Sequence, residues 1–251
     1  GYWALRNRAR ATARPASDAR QPITLTRVTN DGHVEGAAIS PDGKYVAYVL
    51  GEHKGNSLWL RQVGTASDIR LLPPTRAEFW GVNFSPDGRF IYYSLFAGDR
   101  IDFELFRVPS LGGVVEKIPD ISSRAITFSP DGKHLAYIQS DSGADFNSLM
   151  IAETDGRNPR AVDKKAYPNT FYSEGQAVAW SPDGSTIACL VNQFDQNANY
   201  FTVVGIDAHN GSSRSLSERA WYEVSGIVWR RDGKGLLIAA KDKLTAPTQV
   251  W

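Results

Sequence analysis

Apolar and polar positions alternate with period two on either side of a recurring turn, which is the pattern of β-strands. The turn is one tetrapeptide. Ser40-Pro41-Asp42-Gly43 returns as Ser85-Pro86-Asp87-Gly88, Ser129-Pro130-Asp131-Gly132 and Ser181-Pro182-Asp183-Gly184, and degenerates to Arg230-Arg231-Asp232-Gly233. The glycines lie 45, 44, 52 and 49 residues apart, a period that suits one four-stranded propeller blade per repeat. Proline presets φ at the second position of a type I turn and aspartate suits the third. Glycine then supplies the left-handed residue that closes the hairpin. An aspartate recurring in one turn five times reads as structural rather than as a metal ligand or acid catalyst.

The flanks repeat in register. Immediately before the motif serine (Arg230 in the last copy) stand Ile39, Phe84, Phe128, Trp180 and Trp229; three before it stand Ala37, Val82, Ile126, Val178 and Ile227. Four before it every copy is small: Gly36, Gly81, Ala125, Ala177 and Gly226. The small column suits an innermost strand crowded at a central axis. After the motif, Val46, Ile91, Leu135, Ile187 and Leu236 align, followed two residues later by Tyr48, Tyr93, Tyr137, Cys189 and Ile238, a second strand with one buried face. Third strands are expected at 57–63, 104–108, 148–152, 200–206 and 248–251, and fourth strands at 68–72, 114–118, 160–163 and 213–216. Polar loops are expected at 51–56 and 192–199.

The pattern predicts an all-β propeller of four complete four-stranded blades and part of a fifth, spanning 23–251. Residues 23–28 fit only the fourth strand of a blade. Either they complete the last blade and close a five-bladed ring, or a longer parent carries further blades, six or more in total. The second is expected, because the only methionine is Met150 and the chain stops within a strand, the marks of a fragment.

Composition narrows the function. With 42% hydrophobic and 22% charged residues and a net charge of +1, the 251-residue chain is neither disordered nor a polycation that coats nucleic acid. The single cysteine excludes an intrachain disulfide and a Cys-based zinc site, and in the tyrosine column it reads as a packed thiol. Residues 1–22 form a separate basic segment with Arg6, Arg8, Arg10, Arg14 and Arg20 against Asp18. Its Ala, Thr, Pro and Ser content is that of a linker, and its charge would also suit anionic lipid. No run is long enough to span a bilayer. Gly-rich phosphate loops, dinucleotide fingerprints, GxSxG elbows and HExxH pairs are missing, so no catalytic residue and no cofactor is expected.

The repeat at 126–137, Ile-Thr-Phe-Ser-Pro-Asp-Gly-Lys-His-Leu-Ala-Tyr, resembles the PD40 repeat of TolB-type propellers. The segments Ala37–Val49, Ser57–Val63 and Val108–Gly113 are similar to the extracytoplasmic C-terminal propeller of bacterial membrane-anchored serine/threonine kinases. That resemblance implies a sensor held at the periplasmic face of the inner membrane by an upstream helix, of which Gly1–Leu5 would be the end. Arg6–Arg14 just outside the membrane departs from the positive-inside tendency. Prolyl-oligopeptidase-type peptidases carry PD40-like propellers too, as non-catalytic gates, and a periplasmic interaction scaffold is a third setting.

A register coincidence marks the candidate site. Seven residues before the motif serine stand Glu78, Glu174 and Glu223 in blades two, four and five, with His33 and Ser122 in blades one and three. Trp80, Tyr172, Trp221 and Tyr222 lie beside them. These positions enter the innermost strands, where loops gather around one mouth of the channel. Carboxylates and aromatics there suit a cationic small molecule, a peptide or a protein. They also suit solvated strand lips beside packing aromatics. No metal is expected.

Overall fold

The computed structural model describes residues 29, 33–96, 98, 103–140, 144–194 and 199–251. They are all-β. Blade one comprises β1 (Val34–Ile39), β2 (Tyr45–Glu52), β3 (Gly55–Gln62) and β4 (Ser67–Thr75), paired in that order. Blade two comprises β5 (Glu78–Phe84), β6 (Phe90–Phe96), β7 (Glu104–Pro109) and β8 (Glu116–Ile118). Blade three comprises β9 (Ile126–Phe128), β10 (His134–Ser140), β11 (Phe146–Glu153) and β12 (Arg160–Ala166). In blade four, β13 (Thr170–Phe171) and β14 (Val178–Trp180) share the innermost place against β15 (Thr186–Phe194), followed by β16 (Asn199–Asp207) and β17 (Ser213–Ser215). Blade five is the three-stranded sheet β18 (Glu223–Trp229), β19 (Leu236–Lys241) and β20 (Gln249–Val250). Every pairing within these sheets is antiparallel, as one chain folding back by short hairpins requires. The basic segment 1–22 and the candidate closing strand 23–28 lie outside the described residues.

The recurrent turn is one hydrogen-bonded unit. In blade one, Gly43 N donates to Ser40 O at 2.8 Å, and Ser40 Oγ donates to Asp42 Oδ1 at 2.7 Å. Lys44 N donates to the same carboxylate oxygen at 3.0 Å, and Tyr45 N to Ser40 Oγ at 2.9 Å. Asp87, Asp131 and Asp183 repeat the arrangement with Ser85, Ser129 and Ser181. In the fifth copy Arg230 stands for serine and reaches Asp232 Oδ2 at 2.7 Å instead. All five glycines, Gly43, Gly88, Gly132, Gly184 and Gly233, have φ between +67° and +77°, which only glycine adopts without strain.

These turns make an acid-sensitive contribution to stability. The serine hydroxyl and backbone N–H groups hold the Asp42, Asp131 and Asp183 carboxyls below their ordinary range. At Asp87 partial burial opposes the same donors, which still bring it down to about 2. A carboxylate depressed in the folded state stabilises fully above its unfolded pKa and loses that contribution as pH falls through its folded pKa. The urea midpoint is therefore expected to hold above about pH 5 and to fall between about pH 4 and 2. A midpoint flat across that window would show the turns to be uncoupled from folding.

The core lies between blades. Ala47 and Val49 of blade one pack on Val82, Phe84, Ile91 and Tyr93 of blade two. Tyr92 then meets Ile126, Leu135 and Tyr137 of blade three, and Ala136 and Ile138 meet Val178, Ile187 and Cys189 of blade four. The second strands are thus buried on both faces rather than one, because each internal blade is sandwiched between two others. Cys189 is fully buried, which pushes its thiol far above the ordinary range and leaves it inert. The expected polar loops shrink as well: β2 and β3 run on to Glu52 and from Gly55, and β15 and β16 to Phe194 and from Asn199.

The two outermost blades each present a bare apolar face. The position seven after the motif serine is 0% exposed at Ala47, Ala136 and Ala188 and 1% at Tyr92, but 44% at Leu237 of blade five. Val228 on the same face is 55% exposed. On the opposite side of blade one, Ile39 is 64% exposed, where its counterpart Phe84 is 8%.

Candidate functional site

The innermost strands begin at one end of the channel, and three blades converge there. Asn83 of blade two accepts from Gln176 Nε2 of blade four at 3.5 Å, although these blades are not neighbours. The convergence depends on the split innermost strand of blade four. Asn147 of blade three pins β13 from the side: its Nδ2 donates to Phe171 O at 2.6 Å, and its Oδ1 accepts from Phe171 N at 2.9 Å. Residues 173–176 then bulge out of the ladder, while Tyr172 N and Ala177 O stay bonded to Leu190, and bring Glu174 to Arg124 of blade three and Gln176 to Asn83 of blade two before β14 resumes.

The centre of this mouth is Arg124, between Ser123 and β9. Its guanidinium lies 4.4 Å from the Phe103 ring centre and 5.2 Å from that of Trp80. Those two rings meet edge to face at 6.1 Å, and Phe103 also stacks on Phe96 at 5.1 Å. Arg124 Nη1 donates to Glu174 Oε1, and Tyr172 OH donates to Glu174 Oε2 at 3.2 Å. Burial, then the neighbouring Glu174 carboxylate, pushes the Tyr172 phenol up to about 12, so it stays a proton donor at neutral pH. The hydroxyl of Ser94 donates to Ser123 O at 2.6 Å and holds the Arg124 loop to blade two.

The other expected site residues are distributed around this centre. Glu78 and Glu223 are exposed first residues of β5 and β18 rather than loop residues; they pair with Phe96 and Lys241 across their sheets. Lys241 Nζ donates to Glu223 Oε2 at 2.8 Å. Tyr222 is 43% exposed beside it. Trp221 is 3% exposed and packs in the core, bridged to Phe201 by two backbone hydrogen bonds of 2.8 and 2.9 Å. It therefore belongs to the wall between blades four and five, not to the surface of the mouth. Its Nε1 is buried without a partner among the described residues. Sequence reasoning missed Arg124, Phe103 and Lys241. Only Arg124 left a signal, as the one basic residue five before a motif serine.

The opposite end differs in kind. There the turns border inter-blade clefts of about 550, 510 and 460 Å³, the last lined by His134, Arg160, Trp180 and His209. Asp131 and Asp183 share that cleft, so its charges oppose one another. Among the described residues no group of three or more His, Cys, Asp or Glu is placed to hold a metal ion, and no helix is long and apolar enough to cross a membrane.

No family model matches the chain. TolB from Acinetobacter baumannii superposes with a TM-score of 0.60 at 17% identity, over 83% of this chain and 52% of that one. The fold is a TolB-like propeller. The propeller domain of the Trilobed protease from Pyrococcus furiosus, described as having an open velcro topology, superposes with a TM-score of 0.59 at 15% identity, over 87% of this chain and 67% of that one. In sequence, the uncharacterized peptidase YuxL of Bacillus subtilis is 32% identical over 117 residues. That match takes in 47% of this TolB-like propeller and 15% of the peptidase's length.

Proposed function

We propose that this TolB-like propeller is a non-catalytic recognition domain that binds a protein or peptide at the mouth where its innermost strands begin. The observation that carries this reading is the Arg124 constellation, in which Trp80 and Phe103 of blade two and Tyr172 and Glu174 of blade four meet around a cation of blade three at an open channel end. Glu78 and Glu223 add exposed carboxylates at the starts of the innermost strands of blades two and five. Such a site offers ring area for contact and charge for orientation.

The setting we propose is the extracytoplasmic sensor part of a membrane-anchored serine/threonine kinase, which the resemblance of Ala37–Val49, Ser57–Val63 and Val108–Gly113 supports. Ligand held at the mouth would then bias the linked signalling domain. The match to the YuxL peptidase favours a second setting, a propeller that gates substrate to a peptidase domain elsewhere in the polypeptide. In either setting we propose a propeller of more than five blades, supported by the bare apolar faces at Ile39 and at Val228 and Leu237.

The mouth is tested with fluorescent hexapeptides of charge +3, 0 and −3, titrated by anisotropy against the wild type and a Glu78→Gln, Glu174→Gln, Glu223→Gln variant. The +3 peptide is expected to bind the wild type and to lose about tenfold or more in the variant, at a nearly unchanged Tm, since exposed carboxylates contribute little to folding. Equal binding by both proteins, or a preference for the −3 peptide, would overturn the reading.

A further inference from the structure

We infer that the box formed by Trp80, Phe103, Tyr172 and Glu174 is a recognition site for a guanidinium or ammonium group on a partner peptide, and that the chain's own Arg124 occupies it as a removable stopper. The inference rests on the proposed binding role of the mouth and names what the mouth takes.

The box has the parts that select a flat cation. Two aromatic rings lie within 5.2 Å of the guanidinium, so their electron-rich faces attract it. Glu174 neutralises it from a third side, and the protonated Tyr172 phenol fixes the carboxylate through its second oxygen. The box is also reachable: the Arg124 side chain remains 28% exposed and that of Glu174 45%. An incoming cation meets the carboxylate without the fold opening first.

Arg124 is not required by the repeat. The same register holds Glu35, Trp80, Gln176 and Ser225 in the other blades, and the innermost strand forms in each of them. What blade three needs from this residue is its backbone, because Arg124 O lies against Gly81, so the side chain is free to serve the box. Once the guanidinium leaves, Glu174 loses its basic partner within a mouth that also holds Glu78 and Glu223. The vacated box therefore favours another cation. A partner arginine makes the same contacts and has in addition its own peptide to bind elsewhere on the mouth. The stopper thus rejects weak cations and yields to a peptide that presents one.

The test uses acetylarginine amide as probe and acetylcitrulline amide, its neutral isostere, as control. The Arg124→Ala protein is expected to bind the arginine probe at least tenfold more tightly than the wild type and to ignore citrulline. Adding Trp80→Ala should abolish the gain. Arg124→Lys, which keeps a cation in the box, should bind no better than the wild type. Should Arg124→Ala fold poorly, the wild type still answers. At saturation the +3 hexapeptide built with arginine should shift the indole N–H resonance of Trp80, assigned by its loss in Trp80→Phe, and the same peptide built with citrulline should not. No gain in Arg124→Ala, an equal gain for citrulline, or an unmoved Trp80 resonance would overturn the inference. If the hexapeptide still binds and still depends on the three glutamates, the mouth survives and only the box fails.

Discussion

Ala188→Lys is expected to cost about 4 kcal/mol or more, while the identical change at Leu237 costs less than about 1 kcal/mol. Both positions stand seven residues after the first residue of a motif turn, on the face turned away from the preceding blade. Ala188 is 0% exposed and packed into the shared core of blades four and five. Lysine there must bury its ammonium without a partner or force the sheets apart, and either outcome takes a large share of the stability of a domain this size. Leu237 is 44% exposed on the bare face of blade five, so lysine meets water and covers apolar surface with its stem. Urea denaturation of the two variants of this chain checks the contrast. Comparable losses would show that the Leu237 face is already covered. In a longer chain with a sixth blade the contrast should vanish, which makes this pair of variants a direct probe of blade number.

The difference between the blades explains what could be read from the sequence. The turn was legible because proline, aspartate and glycine each act through local backbone geometry; the structure builds four copies alike, and the fifth keeps the aspartate and the left-handed glycine with Arg230 in place of serine. Strand order was legible for the same reason: each hairpin is local and the columns keep period two. What escaped was set by partners distant in sequence. The split of β13 from β14 needs Asn147 twenty-four residues away. The burial of Trp221 depends on Phe201, and neither its neighbours nor its register announces it. Of the three carboxylates singled out by register, Glu174 and Glu223 prove to hold basic partners on other strands or blades, Arg124 and Lys241. Register locates a mouth but not the pairing inside it, because facing side chains come from different repeats. The second strand illustrates the same limit: period two identifies its faces, and only the neighbouring blades bury both.

Gly81→Ala should be the most damaging single-methyl substitution at the mouth. The small column four residues before each turn was read as crowding at the axis, and the structure grades that crowding blade by blade. At Gly81 a Cβ would lie 2.1 Å from the carbonyl oxygen of Arg124, a backbone atom that cannot swing aside, and φ is +57°. The left-handed conformation alone costs alanine about 1–2 kcal/mol, and relieving the clash must move the Arg124 backbone as well. A total of about 3 kcal/mol or more is expected, together with loss of the Arg124 contacts to Trp80 and Phe103. Gly36 is the control from the same column: a Cβ there meets nothing within 4 Å. Gly36→Ala should leave the Tm almost unchanged. Gly226, whose Cβ would lie 2.9 Å from the Gln176 side chain, should fall between them. The ranking Gly81, Gly226, Gly36 in loss of Tm thus measures how tightly successive innermost strands press on one another. A flat ranking would mean that the innermost strands slide apart freely, and the mouth would then lack the rigid frame on which its cation box depends.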